Sequence, residues 1–162
     1  DDREMLHPGA KYYERDLKGV PLRIEIGPRD LVHGQVVLVR RVPDARGNRK
    51  APVAEPEVPA RVAEWLDALQ REMLEAARAR REANSHRGVR TYGELVALLE
   101  REAGFVYTGW CGAEACQAKV KEAAKAEIRV LPDEEFRSPT PPESCAVCGA
   151  RAAAEVVWAK AY

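Results

Sequence analysis

Four cysteines carry the most explicit chemistry in this sequence, and all lie in its last third: Cys111-x4-Cys116 and Cys145-x2-Cys148. Two close pairs separated by 28 residues suit a tetrahedral zinc site with four thiolate ligands. The second pair carries the sharper signal. A two-residue gap lets one turn present both sulfurs, and Gly149 behind it can adopt φ > 0 and turn backbone N–H groups toward the thiolates. Gly112 follows Cys111 in the same way. The x4 gap places Cys116 in the first turn of a predicted helix, where the positive end of the dipole favours a thiolate. Four sulfur ligands close the coordination sphere, so such a zinc is structural and not catalytic. Disulfides and inert buried thiols are the competing readings. The chain opens Asp1-Asp2-Arg3-Glu4, with no basic flank and no apolar run. No signal peptide is therefore expected, and disulfides are disfavoured. His7, His33 and His86 stand in polar or turn contexts without matching cysteine spacing, and read as solvent-exposed side chains.

The elements that must position these groups follow from periodicity. Residues 20–26 alternate, with Val20, Leu22, Ile24 and Ile26 on one face and Arg23 and Glu25 on the other, which predicts a half-buried strand. Gly27-Pro28-Arg29-Asp30 breaks it. Residues 35–41 are apolar on both faces in their middle and predict a more deeply buried strand. Residues 43–59 hold four prolines and a Gly-Asn pair, and read as a connecting loop. Apolar positions 58, 62, 65, 66, 69, 73 and 74 then mark an amphipathic helix running to about residue 83. Its Ala- and Arg-rich later part reads as a bridge between two packing units. Thr91-Tyr-Gly-Glu94 is a capping box that opens another helix. Strands are predicted near 105–110, 128–131 and 154–161, with a helix near 113–126 and a Pro-rich loop at 132–142. The fold class is thus α/β in two units: residues 1–57, a connecting helix at 58–90, and a small α+β zinc domain at 91–162.

Composition narrows the function. The chain has 162 residues, 26 basic and 26 acidic, for a net charge of zero. Bulk charge alone therefore does not hold nucleic acid. The balance is uneven: residues 1–50 carry 11 basic against 8 acidic groups, residues 51–90 carry 7 of each, and residues 91–162 carry 8 against 11. No run of apolar residues is long enough to span a membrane.

The run from Lys11 through Tyr12-Tyr-Glu-Arg-Asp16-Leu-Lys-Gly-Val-Pro-Leu-Arg23-Ile-Glu-Ile-Gly-Pro-Arg29 to Asp30, preceded by Asp1-Asp-Arg and Pro8-Gly9, resembles the anticodon-binding domain of prolyl-tRNA synthetases of the archaeal/eukaryotic type. A helical linker, a four-cysteine C-terminal domain and a terminal Ala-Tyr belong to the same group, so the resemblance covers essentially the whole chain. It implies a class II anticodon-binding domain in part, a mixed sheet with helices, joined by a helix to a small α+β zinc-binding domain. The catalytic domain, which uses ATP and Mg to ligate proline to its tRNA, has no counterpart in these residues, nor do the first strand and helix of the anticodon fold. The resemblance implies a cytoplasmic, homodimeric full-length enzyme with proline tRNA as partner, and neither DNA nor membrane. The chain alone is expected to be non-catalytic.

Proline anticodons end in two guanines. A carboxylate accepts from the N1–H and N2–H of a guanine, and Arg or Lys donates to its O6 and N7. By resemblance the anticodon contacts fall on Tyr12, Asp16, Arg23, Arg29 and Asp30, with Tyr12 suited to base stacking. Arg15-Asp16 departs from the usual Trp-Glu: Asp16 keeps the carboxylate on a shorter arm, and Arg15 loses an aromatic surface. Arg40, Arg41, Arg46, Arg49 and Lys50 are available for phosphate. Tyr162 matches the family's terminal Tyr, whose carboxylate reaches toward the catalytic domain. Two other readings are a free-standing structural-zinc module that binds protein, and the anticodon domain of another class II synthetase.

Overall fold

A computed structural model describes residues 1–101 and 104–160 of the chain. The molecule is mixed α/β and divides into two compact units, Asp1–Ala76 and the remainder from Ala77.

In the first unit, helix α1 (Pro8–Leu17) opens with Pro8 at its first position, where a missing N–H costs nothing. Gly19, at φ +80°, then turns the chain into strand β1 (Leu22–Glu25). A short helix α2 (Pro28–Val32) leads to β2 (Gln35–Arg40) and β3 (Lys50–Ala54). The three strands form an antiparallel sheet in the order β1-β2-β3, with Arg23 opposite Val39 and Val39 opposite Lys50. Helix α3 (Val58–Ala83) lays Val58, Val62 and Trp65 on Val36, Leu38 and Val53. Fully buried Leu38 is typical of this face. Arg40, also buried, pairs with Glu72 on α3 and stacks over Trp65.

Two expectations are corrected here. The 43–59 segment is not all loop, because it contains β3. Pro52 is tolerated there since β3 is an edge strand, and the donor it lacks is not needed by a second neighbour. The apolar face of β1 is not the buried one. Ile24 is 47% and Ile26 60% exposed, whereas the Arg23 and Glu25 side chains are only 19% and 17% exposed. Ile24 shares its face with Leu38, but α3 covers the β2–β3 part of that face. On the other face Tyr12 and Asp16 of α1 cover Arg23.

In the second unit a four-stranded sheet runs β4-β5-β7-β6, built from β4 (Ser85–His86), β5 (Phe105–Trp110), β6 (Ala126–Val130) and β7 (Ala154–Lys160). Among the described residues, β4 and β5 pair in parallel, and β7 pairs antiparallel with both β5 and β6. Helices α4 (Tyr92–Arg101) and α5 (Glu114–Ala124) contribute Leu95, Leu99 and Val120 to a core centred on fully buried Trp158. The capping box forms as the sequence predicts: the Glu94 amide donates to Thr91 Oγ1 (3.3 Å), and the Thr91 amide donates to the Glu94 carboxylate (3.1 Å). The Trp158 indole N–H donates to Thr108 Oγ1 at 2.9 Å, which satisfies two buried polar groups at once. Among the described residues, no helix is long and apolar enough to cross a membrane.

Candidate metal centre and nucleic-acid interface

The four cysteines converge. Cys111 follows β5, Cys116 sits in the first turn of α5, and Cys145 and Cys148 flank a tight knuckle. Their sulfurs all lie within 4.8 Å of one another. Cys111 Sγ is 3.7 Å from both Cys116 Sγ and Cys148 Sγ. A tetrahedral ion with metal–sulfur bonds of about 2.3 Å spaces its ligands about 3.8 Å apart, so the donor set fits a metal of that kind. These separations also exclude disulfides, whose sulfurs lie at about 2.0 Å. All four thiols are free.

Local backbone builds this cluster. Gly112 and Gly149 adopt φ of +90° and +76°, as their positions after Cys111 and Cys148 predict. The Cys145 amide donates to Ala150 O (2.7 Å), and the Gly149 amide returns to Cys145 O (2.9 Å), closing the knuckle. The Trp110 indole N–H donates to Ala113 O at 3.1 Å and braces the x4 turn. Burial pushes the Cys145 thiol up, but the backbone N–H groups of Cys148, Val147 and Cys111 outweigh it and bring it down to about 7. Buried Cys116 is pushed up to about 12, by desolvation first and then by the neighbouring thiols. Crowded sulfurs of this kind are relieved by a cation among them. His7 and His33 are exposed as expected. His86 is half-buried, because it belongs to β4 and pairs with Val106.

In the first unit, Tyr12, Asp16 and Arg23 form one cluster. The Arg23 guanidinium lies 4.3 Å over the Tyr12 ring, and donates from Nη1 to Asp16 (3.2 Å) and from Nε to Glu25 (2.8 Å). Lys50 Nζ reaches Glu25 at 3.1 Å, and Arg49 approaches Asp16 at 3.5 Å. Burial raises the Glu25 pKa, yet hydrogen bonds from Arg23 and Lys50 more than compensate and hold it below its ordinary value. Two carboxylates, three cations and an aromatic ring thus share one face. Glu25, Arg49 and Lys50 join residues that the resemblance alone named. Alternation from Arg23 signals Glu25, but the strand that aligns Lys50 lies in the segment read as loop.

Arg29 and Asp30 stand on α2, outside this set of hydrogen bonds. Asp30 accepts the Gly27 amide at 3.0 Å and so caps α2, while the His33 ring donates to Arg29 O at 2.7 Å. The Arg29 guanidinium has no hydrogen bond or ion pair among the described residues. Tyr162 lies outside the described residues.

The first unit thus presents a sheet face of paired cations and carboxylates, and the second is an α+β unit with four convergent thiols. Two family models match in succession: the anticodon binding domain over residues 1–65, and the C-terminal domain of prolyl-tRNA synthetase over residues 92–162. The proline–tRNA ligase of Lachnospira eligens is 40% identical over 162 residues, all of this chain and 32% of that protein. That of Symbiobacterium thermophilum is 42% identical over 161 residues, 96% of this chain and 32% of that protein. The solved structure of Giardia lamblia prolyl-tRNA synthetase in complex with prolyl-adenylate aligns with a TM-score of 0.79 at 32% identity, over 100% of this chain and 34% of that one. The chain belongs to the prolyl-tRNA synthetase family. It spans about a third of the length of the relatives it matches.

Proposed function

We propose that this chain supplies anticodon recognition to an enzyme that ligates proline to proline tRNA with ATP, the ATP and Mg chemistry belonging to the family's catalytic domain. The observation that carries the reading is the Tyr12–Asp16–Arg23–Glu25 cluster, lying within the anticodon-binding match. Unstacked guanines present donors on one edge and acceptors on another, and this surface offers partners for both. In the proposal Arg23 and Arg29 donate to guanine O6 and N7, while Asp16 accepts from N1–H and N2–H. Tyr12 supplies stacking, Asp30 fixes the α2 turn that presents Arg29, and Arg49 and Lys50 meet phosphate. The ion pairs inside the cluster hold these groups in place before RNA arrives, which lowers the ordering cost of binding.

In the second unit we infer that the metal is zinc, held by Cys111, Cys116, Cys145 and Cys148. With all four positions filled by sulfur it has no place for substrate water and acts as a staple. A unit of this size has a small core and gains most from such a cross-link.

Fluorescence anisotropy with two RNA hairpins tests the first reading. One carries a proline anticodon, and the other has both guanines replaced by adenine. The first is expected to bind at least tenfold tighter at equal salt; equal affinity would refute anticodon recognition. Elemental analysis of protein purified without chelator should return one zinc per chain.

A further inference from the structure

The two limbs of the thiol cluster come from distant parts of the chain, and they meet at one glycine. Gly109 lies in β5, two residues before Cys111, and pairs with Glu155 of β7. It also forms a parallel bridge with Cys145. Since β4 pairs with β5 only at Phe105 and Val106, the edge of β5 beyond them is open to the segment that carries the second cysteine pair. The Ala146 amide donates to Gly109 O at 3.1 Å, and the Ala153 amide to Trp110 O at 2.8 Å. The same Gly109 carbonyl accepts from Thr108 Oγ1 at 3.3 Å, and that hydroxyl accepts from the Trp158 indole. A short chain of hydrogen bonds therefore runs from fully buried Trp158 to the residue beside Cys145.

No side chain fits at position 109. A Cβ there would collide with the Ser144 carbonyl oxygen, far inside van der Waals contact, and would lie 3.0 Å from both the Ser144 carbonyl carbon and Ala152 Cβ. The obstacle is backbone, so a rotamer change cannot relieve it. Separating the strands to make room would carry Cys145 and Cys148 away from Cys111 and Cys116. Gly109 has no positive φ to explain its identity, since the positive-φ glycines are others. Its requirement is close approach alone.

We propose that Gly109 is a positioning residue for the metal centre: the absence of its side chain lets the two cysteine limbs close to coordination distance. The proposal rests on the zinc reading above. The test compares wild type with Gly109→Ala and with Gly93→Ala, a helical glycine whose added Cβ meets nothing within 4 Å. Zinc affinity is measured by competition with a chromogenic chelator, and folding of the second unit is followed by tryptophan fluorescence against zinc concentration. Gly109→Ala is expected to bind zinc at least tenfold more weakly and to fold at correspondingly higher zinc, while Gly93→Ala stays within twofold of wild type. Cobalt substituted at saturation should still give the tetrahedral four-thiolate spectrum in Gly109→Ala, since the ligands are unchanged. Wild-type affinity in Gly109→Ala overturns the proposal. So does a Gly109→Ala chain that stays unfolded at saturating zinc, because the contact would then serve packing alone. A wild-type chain that binds no zinc refutes the metal reading itself, which is a separate result.

Discussion

Arg23 shows how much one planar side chain can organise. Its guanidinium lies on Tyr12 and spends its edges on Asp16 and Glu25. An ammonium in its place could neither stack flat nor hold two carboxylates in one plane. Arg23→Lys is therefore expected to lower affinity for the proline-anticodon hairpin by about tenfold, within the ~1–3 kcal/mol typical of a base-directed contact, as read by anisotropy. Arg49→Ala should instead weaken both hairpins alike and reduce the salt slope, as a phosphate contact does. Glu25 ties the same cluster to pH. The folded protein holds its carboxyl below the ordinary 4.5, so the ionised form stabilises the first unit above that value. This contribution disappears as pH falls through the depressed pKa. Urea unfolding of the wild type should lose stability below about pH 4.5 more steeply than Glu25→Gln.

At the scale of elements, the sequence was most readable where a regular pattern coincided with burial. The run from Val58 marks α3, and Thr91-x-x-Glu94 marks the start of α4, because each is a local rule with a local physical cause. Replacing Thr91 by Ala removes the acceptor for the Glu94 amide. It should cost ~1 kcal/mol, within the ~0.5–2 kcal/mol of a lost N-cap, with Thr91→Ser close to neutral; urea melts of the second unit measure both. Other elements escaped such rules. Helix α1 buries no residue, and its apolar stripe of Ala10, Tyr13 and Leu17 is exposed, so the stripe marks no core face. Strand β3 contains a proline that is acceptable only at a sheet edge, and being at an edge is a property of the sheet rather than of the segment. β4 is two residues long and exists through its pairing with β5.

At the scale of the molecule, the two units draw their stability from different sources. The first relies on Val36, Leu38 and Val53 under α3, with Arg40 and Glu72 securing the helix. The second surrounds Trp158 and closes on four thiols. A strong chelator, or Cys148→Ser, should therefore lower the melting temperature of the second unit and leave the first nearly unchanged. Amide exchange resolves the two. Equal loss across both units would contradict a local staple.

From the sequence alone came the set of four cysteines, the helix that follows the first sheet, and the family, because cysteine spacing, helical period and a long motif are written along the chain. The tertiary structure decided which face of β1 is covered, that Asp16 pairs with Arg23, and that Gly109 admits no side chain. Each of those depends on what another segment brings to the same place. Burial and close approach are properties of pairs of segments, and a linear pattern records only one member of each pair.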